Sequence, residues 1–353
     1  MNYQQVKVNT ARPELPKTRI LIIYSGGTIG MVPDSQGVLQ PFDFSLILEH
    51  LPSLKKLALD LTVISSGDPV DSSNIGPAEW IFMAETIQKH YLEQDGFVIL
   101  HGTDTMAYSA SALSFMLSGL VKPVIFTGAQ LPITNSRSDA RENLITALEI
   151  ASARIHEMPV VPEVCIYFGD ELLRGNRAKK VESQHFDAFQ SENYPLLARA
   201  GVKIDFNSSA ITRPVAAKLH VYKTFCSDVA ILKLFPGIGE STVRSILNIN
   251  GLKGLVLETF GSGNAPTASW FLRLLSDAIN QGLIVVNVSQ CPGGMVQQGR
   301  YETSRELLKM GVIGGADLTT EAAITKLMLL LGEFGAKKAA EMMIQPIAGE
   351  LTV

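Results

Sequence analysis

Short β-rich runs alternate with longer segments of helical period along most of this 353-residue chain. The first part carries runs at 19–24 (RILIIY), 61–65, Gly96–Leu100 (GFVIL), 123–127 (PVIFT) and Val164–Phe168. The second part carries them at 229–235, 252–259 and 283–288 (LIVVNV). Strands with one wet face alternate apolar and polar residues; continuous apolar runs need both faces covered. The pattern therefore predicts an α/β fold, a mostly parallel sheet flanked by helices. Helical period marks 77–91, where Trp80, Ile81, Ala84, Ile87 and Tyr91 can share one face and Pro77 suits the first turn. It also marks 107–117, 141–155, Glu240–Leu247, 268–279, and two helices near 320–331 and 336–343.

The rhythm breaks over 205–227, where Asn207, Ser208, Ser209, Pro214 and several charges intervene. The predicted organisation is a polar N-terminal tail over 1–18, a larger N-terminal α/β catalytic domain over 19–206, a linker over 207–227, and a smaller C-terminal α/β domain over 228–353. Thirty basic against 34 acidic side chains give a formal charge of −4. No positive excess exists to drive binding to nucleic acid or anionic lipid. Cys165, Cys226 and Cys291 are too few and scattered for a disulfide framework, as expected of a reduced, cytoplasmic protein. The polar start, with Pro13 and Pro16, lacks the apolar core of about 7–15 residues that a secretory signal needs. No run approaches the ~20 apolar residues of a membrane span. A soluble protein with no membrane partner is expected.

In open parallel sheets ligands bind outside the carboxyl ends of strands, so the loops after strands hold the candidate chemistry. Ser25, Gly26, Gly27, Thr28, Ile29 and Gly30 follow the first run. They read either as a glycine turn or as a cradle of backbone amides with the Thr28 hydroxyl at its edge. Asp71, Ser72 and Ser73 could cap the helix before Pro77 or hold a small zwitterion. Thr103 and Asp104, after His101 and Gly102, could cap the next helix or face Thr28. His101 reads as ordering its own loop. The basic stretch 174–180 (RGNRAKK) is either a solvated loop or the source of one lysine that folds in beside a carboxylate and serves as proton acceptor. The loop 261–266 (GSGNAP) begins like a dinucleotide fingerprint, but Pro266 stands at the third glycine position. There is no G-x-S-x-G elbow, no H-E-x-x-H and no cysteine–histidine metal spacing.

YSGGTIGM (24–31) and ILHGTDTMAYSASALSFML (99–117) resemble the two signature regions of the L-asparaginases, in the bacterial type I, cytoplasmic branch. PVIFTGAQLP, RGNRAKK, GSGNAP, VVNVSQC and GVIGGADLT are similar too, so the likeness covers roughly 19–350. It implies hydrolysis of L-asparagine to L-aspartate and ammonia, with no metal or organic cofactor. It implies a homotetramer, a dimer of tight dimers, with each active site shared between two subunits. By resemblance Thr28 is the primary nucleophile, and Thr103, Asp104 and Lys180 are the second catalytic group. Asp71 and Ser72 bind the α-amino and α-carboxylate ends of the substrate. Gly27 lines the cradle, the Ala129 carbonyl faces the side-chain amide, and Asn264 comes from the neighbouring subunit.

The physics of these roles is consistent. A threonine hydroxyl needs a nearby base, which Lys180 supplies through Thr103 and water once it gives up its proton. Backbone amides of the glycine loop and Thr103 could stabilise the oxyanion. Covalent attack and direct attack by water both fit.

The chain departs from the pattern at two places. Val38 stands where many asparaginases carry a loop tyrosine; Tyr301 is the candidate replacement, with Tyr24 second and better suited to the core. Arg244 and Cys291 match a second, regulatory asparagine site, but Lys179 replaces its threonine, which leaves cooperativity open. A broader glutaminase–asparaginase remains an alternative, since one methylene discriminates only about 10–200-fold. A non-catalytic amino-acid sensor on the same scaffold is the alternative from another class. An amidotransferase subunit is disfavoured because no separate domain precedes residue 19.

Overall fold

The computed structural model describes residues 3–11, 15–16, 18–33, 39–41, 51–66, 70–213, 218–300 and 302–352. The chain divides into two compact units, Met1–Val221 and Tyr222–Val353. Each contains its own sheet.

The first unit is built on nine strands: β1 (Tyr3–Asn9), β2 (Thr18–Tyr24), β3 (Leu59–Ser66), β4 (Gly96–Leu100), β5 (Val124–Thr127), β6 (Val164–Phe168), β7 (Glu171–Arg174), β8 (Ala198–Ala200) and β9 (Ile204–Phe206). Their order is β1-β3-β2-β4-β5-β6-β7-β8-β9. From β3 to β6 every pairing is parallel. β1 and β7 to β9 add antiparallel edges. The central strands are the continuous apolar runs of the sequence: Ile20 to Ile23 and Phe97 to Ile99 are wholly inaccessible to solvent. Such residues lose water on both faces of the sheet, with about 1.5–3 kcal/mol of transfer free energy for each large side chain.

Among the described residues, α1 (Pro77–His90), α2 (Met106–Met116) and α3 (Ala140–Ser152) are the α-helices of this unit. Pro77 opens α1 as its sequence predicts, and the Glu79 carboxylate accepts from the Gly76 N–H at 2.8 Å. The Trp80 indole N–H of α1 donates to Ser109 Oγ of α2 at 2.9 Å. The helix predicted over 141–155 ends at Ser152, because Ala153 is extended and Arg154–Ile155 pairs back with Met158–Pro159.

Two boundaries differ from the sequence reading. The predicted tail over 1–18 contains β1, which pairs antiparallel with β3 from Tyr3 to Asn9. Its residues are mostly exposed, so a polar composition suits an edge strand. Within the predicted linker over 207–227, the described residues up to Val221 belong to the first unit. Asn207 Nδ2 donates to Leu196 O, Ala210 and Ile211 are buried, and His220–Val221 pairs with Leu117–Ser118.

The second unit has four parallel strands in chain order: β10 (Val229–Lys233), β11 (Gly254–Thr259), β12 (Ile284–Ser289) and β13 (Ile313–Gly314). Its helices are α4 (Glu240–Leu247), α5 (Ser269–Asn280), α6 (Glu302–Lys309) and α7 (Thr320–Met343). α7 is two helices across a kink at Gly335, whose φ of 73° is left-handed, in agreement with the two helices predicted there. Lys326 of α7 is wholly buried. Its Nζ pairs with Glu350 at 2.5 Å and donates to Met343 O and Gln345 O. Among the described residues no helix is long and apolar enough to cross a membrane.

Candidate active site

Strands β3, β2, β4 and β5 are adjacent and parallel, so their carboxyl ends lie along one edge of the sheet. The chain leaves β2 toward β3 and leaves β4 toward β5. The crevice of such a switch in direction lies between β2 and β4. The backbones of the two loops meet there. A Cβ on Gly27 would stand 2.5 Å from the Gly102 nitrogen, and one on Gly102 would stand 2.6 Å from Ser72 Oγ. The φ of 88° at Gly27 also suits glycine. Three loops thus converge: the one bearing Thr28, the one bearing Asp71 and Ser72, and the one bearing Thr103 and Asp104. Ser25 Oγ donates to Leu100 O at 2.9 Å, Val70 N to Ser25 O at 3.1 Å, and Thr105 Oγ1 to Ser72 O at 2.6 Å. Thr28 opens a short 3-10 turn and is partly exposed.

Lys180 reaches this cluster. Its ammonium donates to Thr103 Oγ1 at 2.8 Å and to Asp104 Oδ1 at 2.7 Å. Thr103 is 9% exposed, while the Asp104 side chain stays 67% exposed. The capping alternative for Thr103 and Asp104 does not hold, since the N-cap position of α2 is occupied by Thr105. The basic stretch 174–180 is not a solvated loop either. Arg174 is 4% exposed and paired with Glu163 at 2.7 Å; its guanidinium lies over the Tyr194 ring at 4.1 Å, with that of Arg177 at 5.2 Å. Glu163 also accepts from Thr212 N–H at 2.5 Å. These contacts anchor the 3-10 turn Gly175–Arg177, and the Lys179–Lys180 strand beyond it pairs with Phe189–Gln190.

Asp71 caps the turn Ser72–Asn74 and accepts from both Ser73 N and Ser73 Oγ at 2.9 Å. Those bonds, the backbone one first, hold its carboxyl below the usual range. It is exposed and charged, and Ser72 beside it is buried against Gly102. Ala129 is 5% exposed after β5. Gly128 O accepts from Asn143 Nδ2 at 3.0 Å, and Gln130 N donates to the Asp139 carboxylate at 3.0 Å. The Ala129 carbonyl shares a planar peptide with that Gln130 N–H, so it points away from Asp139. Tyr24 is 1% exposed, as its place in β2 suggested. Its hydroxyl donates to Gly27 O at 3.4 Å, and burial pushes its phenol well up.

The second unit carries the other predicted residues. Asn264 closes a bridge with Phe260, and Asn287, wholly buried, donates to Gly263 O at 3.2 Å and steadies that turn. Arg244 is exposed on α4 and paired with Glu240. Cys291 is exposed after β12, its N–H donating to Ser289 Oγ at 3.0 Å. Lys179, in the first unit, is partly buried in its two-residue strand. Val38 and Tyr301 lie outside the described residues.

Sequence reasoning missed Gln130. Its Oε1 accepts from Thr103 Oγ1 at 3.5 Å and its Nε2 donates to His185 O at 3.0 Å. Its place one residue past Ala129, in a loop after a strand, was the available signal. It also missed Ser109 and Trp80 behind His101.

The family model of the asparaginase N-terminal domain matches residues 19–212, and that of the glutaminase/asparaginase C-terminal domain matches residues 228–343. The chain is 41% identical over 345 residues to L-asparaginase 1 of Escherichia coli K12, covering 96% of this chain and 99% of that protein. It is 40% identical to the 60 kDa lysophospholipase of Mus musculus over 97% of this chain, but spans only 64% of that longer protein. The crystal structure of L-asparaginase I from Vibrio cholerae superposes with a TM-score of 0.85 at 36% identity, covering 95% of this chain and 99% of that one. With both domain models matched in order and the glycine, threonine–aspartate and lysine loops brought together, the chain belongs to the asparaginase family.

Proposed function

We propose that the protein hydrolyses L-asparagine to L-aspartate and ammonia. The observation that carries this reading is the ammonium of Lys180 bonded to both Thr103 and Asp104, on a loop whose Gly102 packs against Gly27, next to Thr28. Family membership and the asparaginases among the relatives support it.

Asp71 and Ser72 hold the amino-acid end of the substrate, and the Ala129 carbonyl accepts from its carboxamide nitrogen. Thr28 Oγ1 attacks the carboxamide carbon. Its proton passes through Thr103 or water toward Lys180, because a hydroxyl nucleophile needs a nearby acceptor. The backbone N–H groups of the glycine loop and Thr103 stabilise the negative charge on the former carbonyl oxygen. Collapse breaks the C–N bond, the proton returns to the leaving nitrogen, and ammonia departs. Water then cleaves the aspartyl ester and restores Thr28.

The reading extends to a cytoplasmic homotetramer, a dimer of dimers, in which Asn264 serves the site of a neighbouring subunit. Lys179, Arg244 and Cys291 are its candidate regulatory residues, with cooperativity left open by the lysine at 179. Ammonia release from L-asparagine and L-glutamine across concentration tests the whole. Release from asparagine that a Thr28→Ala variant abolishes is the expected result; wild type that binds aspartate without turnover would make the protein a sensor. Comparable rates on both amides would widen the substrate class. A sigmoidal curve would support the regulatory group, and a hyperbola would remove it.

A further inference from the structure

We propose that His101 is a positioning residue: with Ser109 and Trp80 it fixes the Gly102–Thr103 peptide so that the Thr103 N–H faces the crevice as an oxyanion donor. The inference rests on the amidohydrolase reading above.

His101 is wholly buried. Its backbone N–H donates to Thr127 O at 3.0 Å, and its ring is tilted against Phe126 with centroids 5.8 Å apart. Nδ1 lies 2.6 Å from Gly102 O, and Nε2 lies 2.8 Å from Ser109 Oγ. The same Ser109 Oγ accepts the Trp80 indole N–H at 2.9 Å. These partners assign every proton. A carbonyl only accepts, so Nδ1 carries the hydrogen. Nε2 is then a lone pair, and Ser109 O–H donates to it. The other tautomer would set the Nδ1 lone pair against the Gly102 carbonyl. Burial pushes the imidazole down to about 4, so the ring stays neutral near neutral pH.

A glycine imposes little restraint on the peptide that follows it. The Gly102–Thr103 peptide could rotate, were its carbonyl not held by the buried ring. In a planar trans peptide the C=O and N–H point in opposite directions. A carbonyl drawn inward to His101 therefore turns the Thr103 N–H the opposite way, away from the buried ring.

Two substitutions separate this role from plain core filling. In His101→Asn the side-chain amide nitrogen stands near the place of Nδ1 and keeps the bond to Gly102 O. In His101→Gln the amide reaches Ser109 and loses that bond. We expect kcat for L-asparagine to fall about 100-fold in His101→Gln with KM little changed, the loss typical of one missing oxyanion donor. His101→Asn falls less than about tenfold, since the donor stays aimed. Equal losses in the two would overturn the proposal. Nitrogen-15 NMR of the imidazole in the intact wild type reads the tautomer with no substitution at all. Hydrogen on Nδ1 is expected, and hydrogen on Nε2 sinks the proposal even if neither variant folds. Wild type that releases no ammonia defeats the amidohydrolase reading and leaves the tautomer result standing.

Discussion

No side chain fits between Gly27 and Gly102: a Cβ on the first would lie 2.5 Å from the nitrogen of the second. The obstacle is backbone, which cannot swing aside. Gly27→Ala therefore forces the Thr28 and Thr103 loops apart and adds a strained positive φ costing about 1–3 kcal/mol. A misplacement near 1 Å at reacting groups costs about 100-fold in rate. Steady-state kinetics should show kcat down by about that factor, with far-UV circular dichroism unchanged. Full activity in Gly27→Ala would mean that the two loops do not act together.

Lys180 is proposed to move the proton and Asp104 to hold Lys180. Lys180→Met is expected to lower kcat by about 10³, within the usual range for a lost general base. Asp104→Asn should cost less, because Thr103 still positions the ammonium. The double variant should be no slower than Lys180→Met, as groups that work as a unit are not additive. Fully additive losses in this cycle would separate the two residues.

Glu163 and Arg174 form a buried pair at 2.7 Å, with side chains 9% and 4% exposed. Glu163→Gln leaves a buried guanidinium without its counter-charge, a loss of about 3 kcal/mol. Urea unfolding followed by tryptophan fluorescence measures it. The same substitution loosens the turn that leads to Lys180, so residual kcat should fall while Asp71 and Ser72 keep KM near its wild-type value. An unchanged urea midpoint would remove the pair from the scaffold.

Burial lowers the His101 imidazole from 6.5 to about 4, against the Gly102 bond that acts the other way. Between these values the unfolded chain binds a proton that the folded chain refuses. Stability is whole above about pH 6.5 and drains away as the pH falls toward 4, by about 3 kcal/mol in all. Unfolding midpoints between pH 7 and 4.5 should fall more steeply in wild type than in His101→Asn, which has no imidazole at that position. Parallel slopes would show that other groups set the acid limit.

The core of both sheets was readable because parallel strands covered on both faces must be apolar throughout, and 96–100 and 164–168 match their strands to the residue. β1 was not readable as a strand. An exposed edge makes no demand for apolar residues, so Gln4, Gln5 and Lys7 looked like a tail. Burial of Arg174 and Arg177 was hidden for a different reason: the residues that satisfy them, Glu163 and Tyr194, lie outside the basic stretch, and nothing in its own composition announces them. At the site, the loops and Thr103, Asp104 and Lys180 could be named in advance. Their hydrogen-bond partners could not, because Gln130, Ser109 and Trp80 are ordinary residues given meaning only by neighbours in space.

The buried pair of Lys326 and Glu350 also sets an order of events during synthesis. The ammonium leaves the ribosome well before the carboxylate that neutralises it, and a lone charge cannot enter an apolar interior cheaply. Until Glu350 emerges, α7 must keep Lys326 in water or near chaperone surfaces. The second unit can therefore close its core only after Glu350 has emerged, however early its four strands are made.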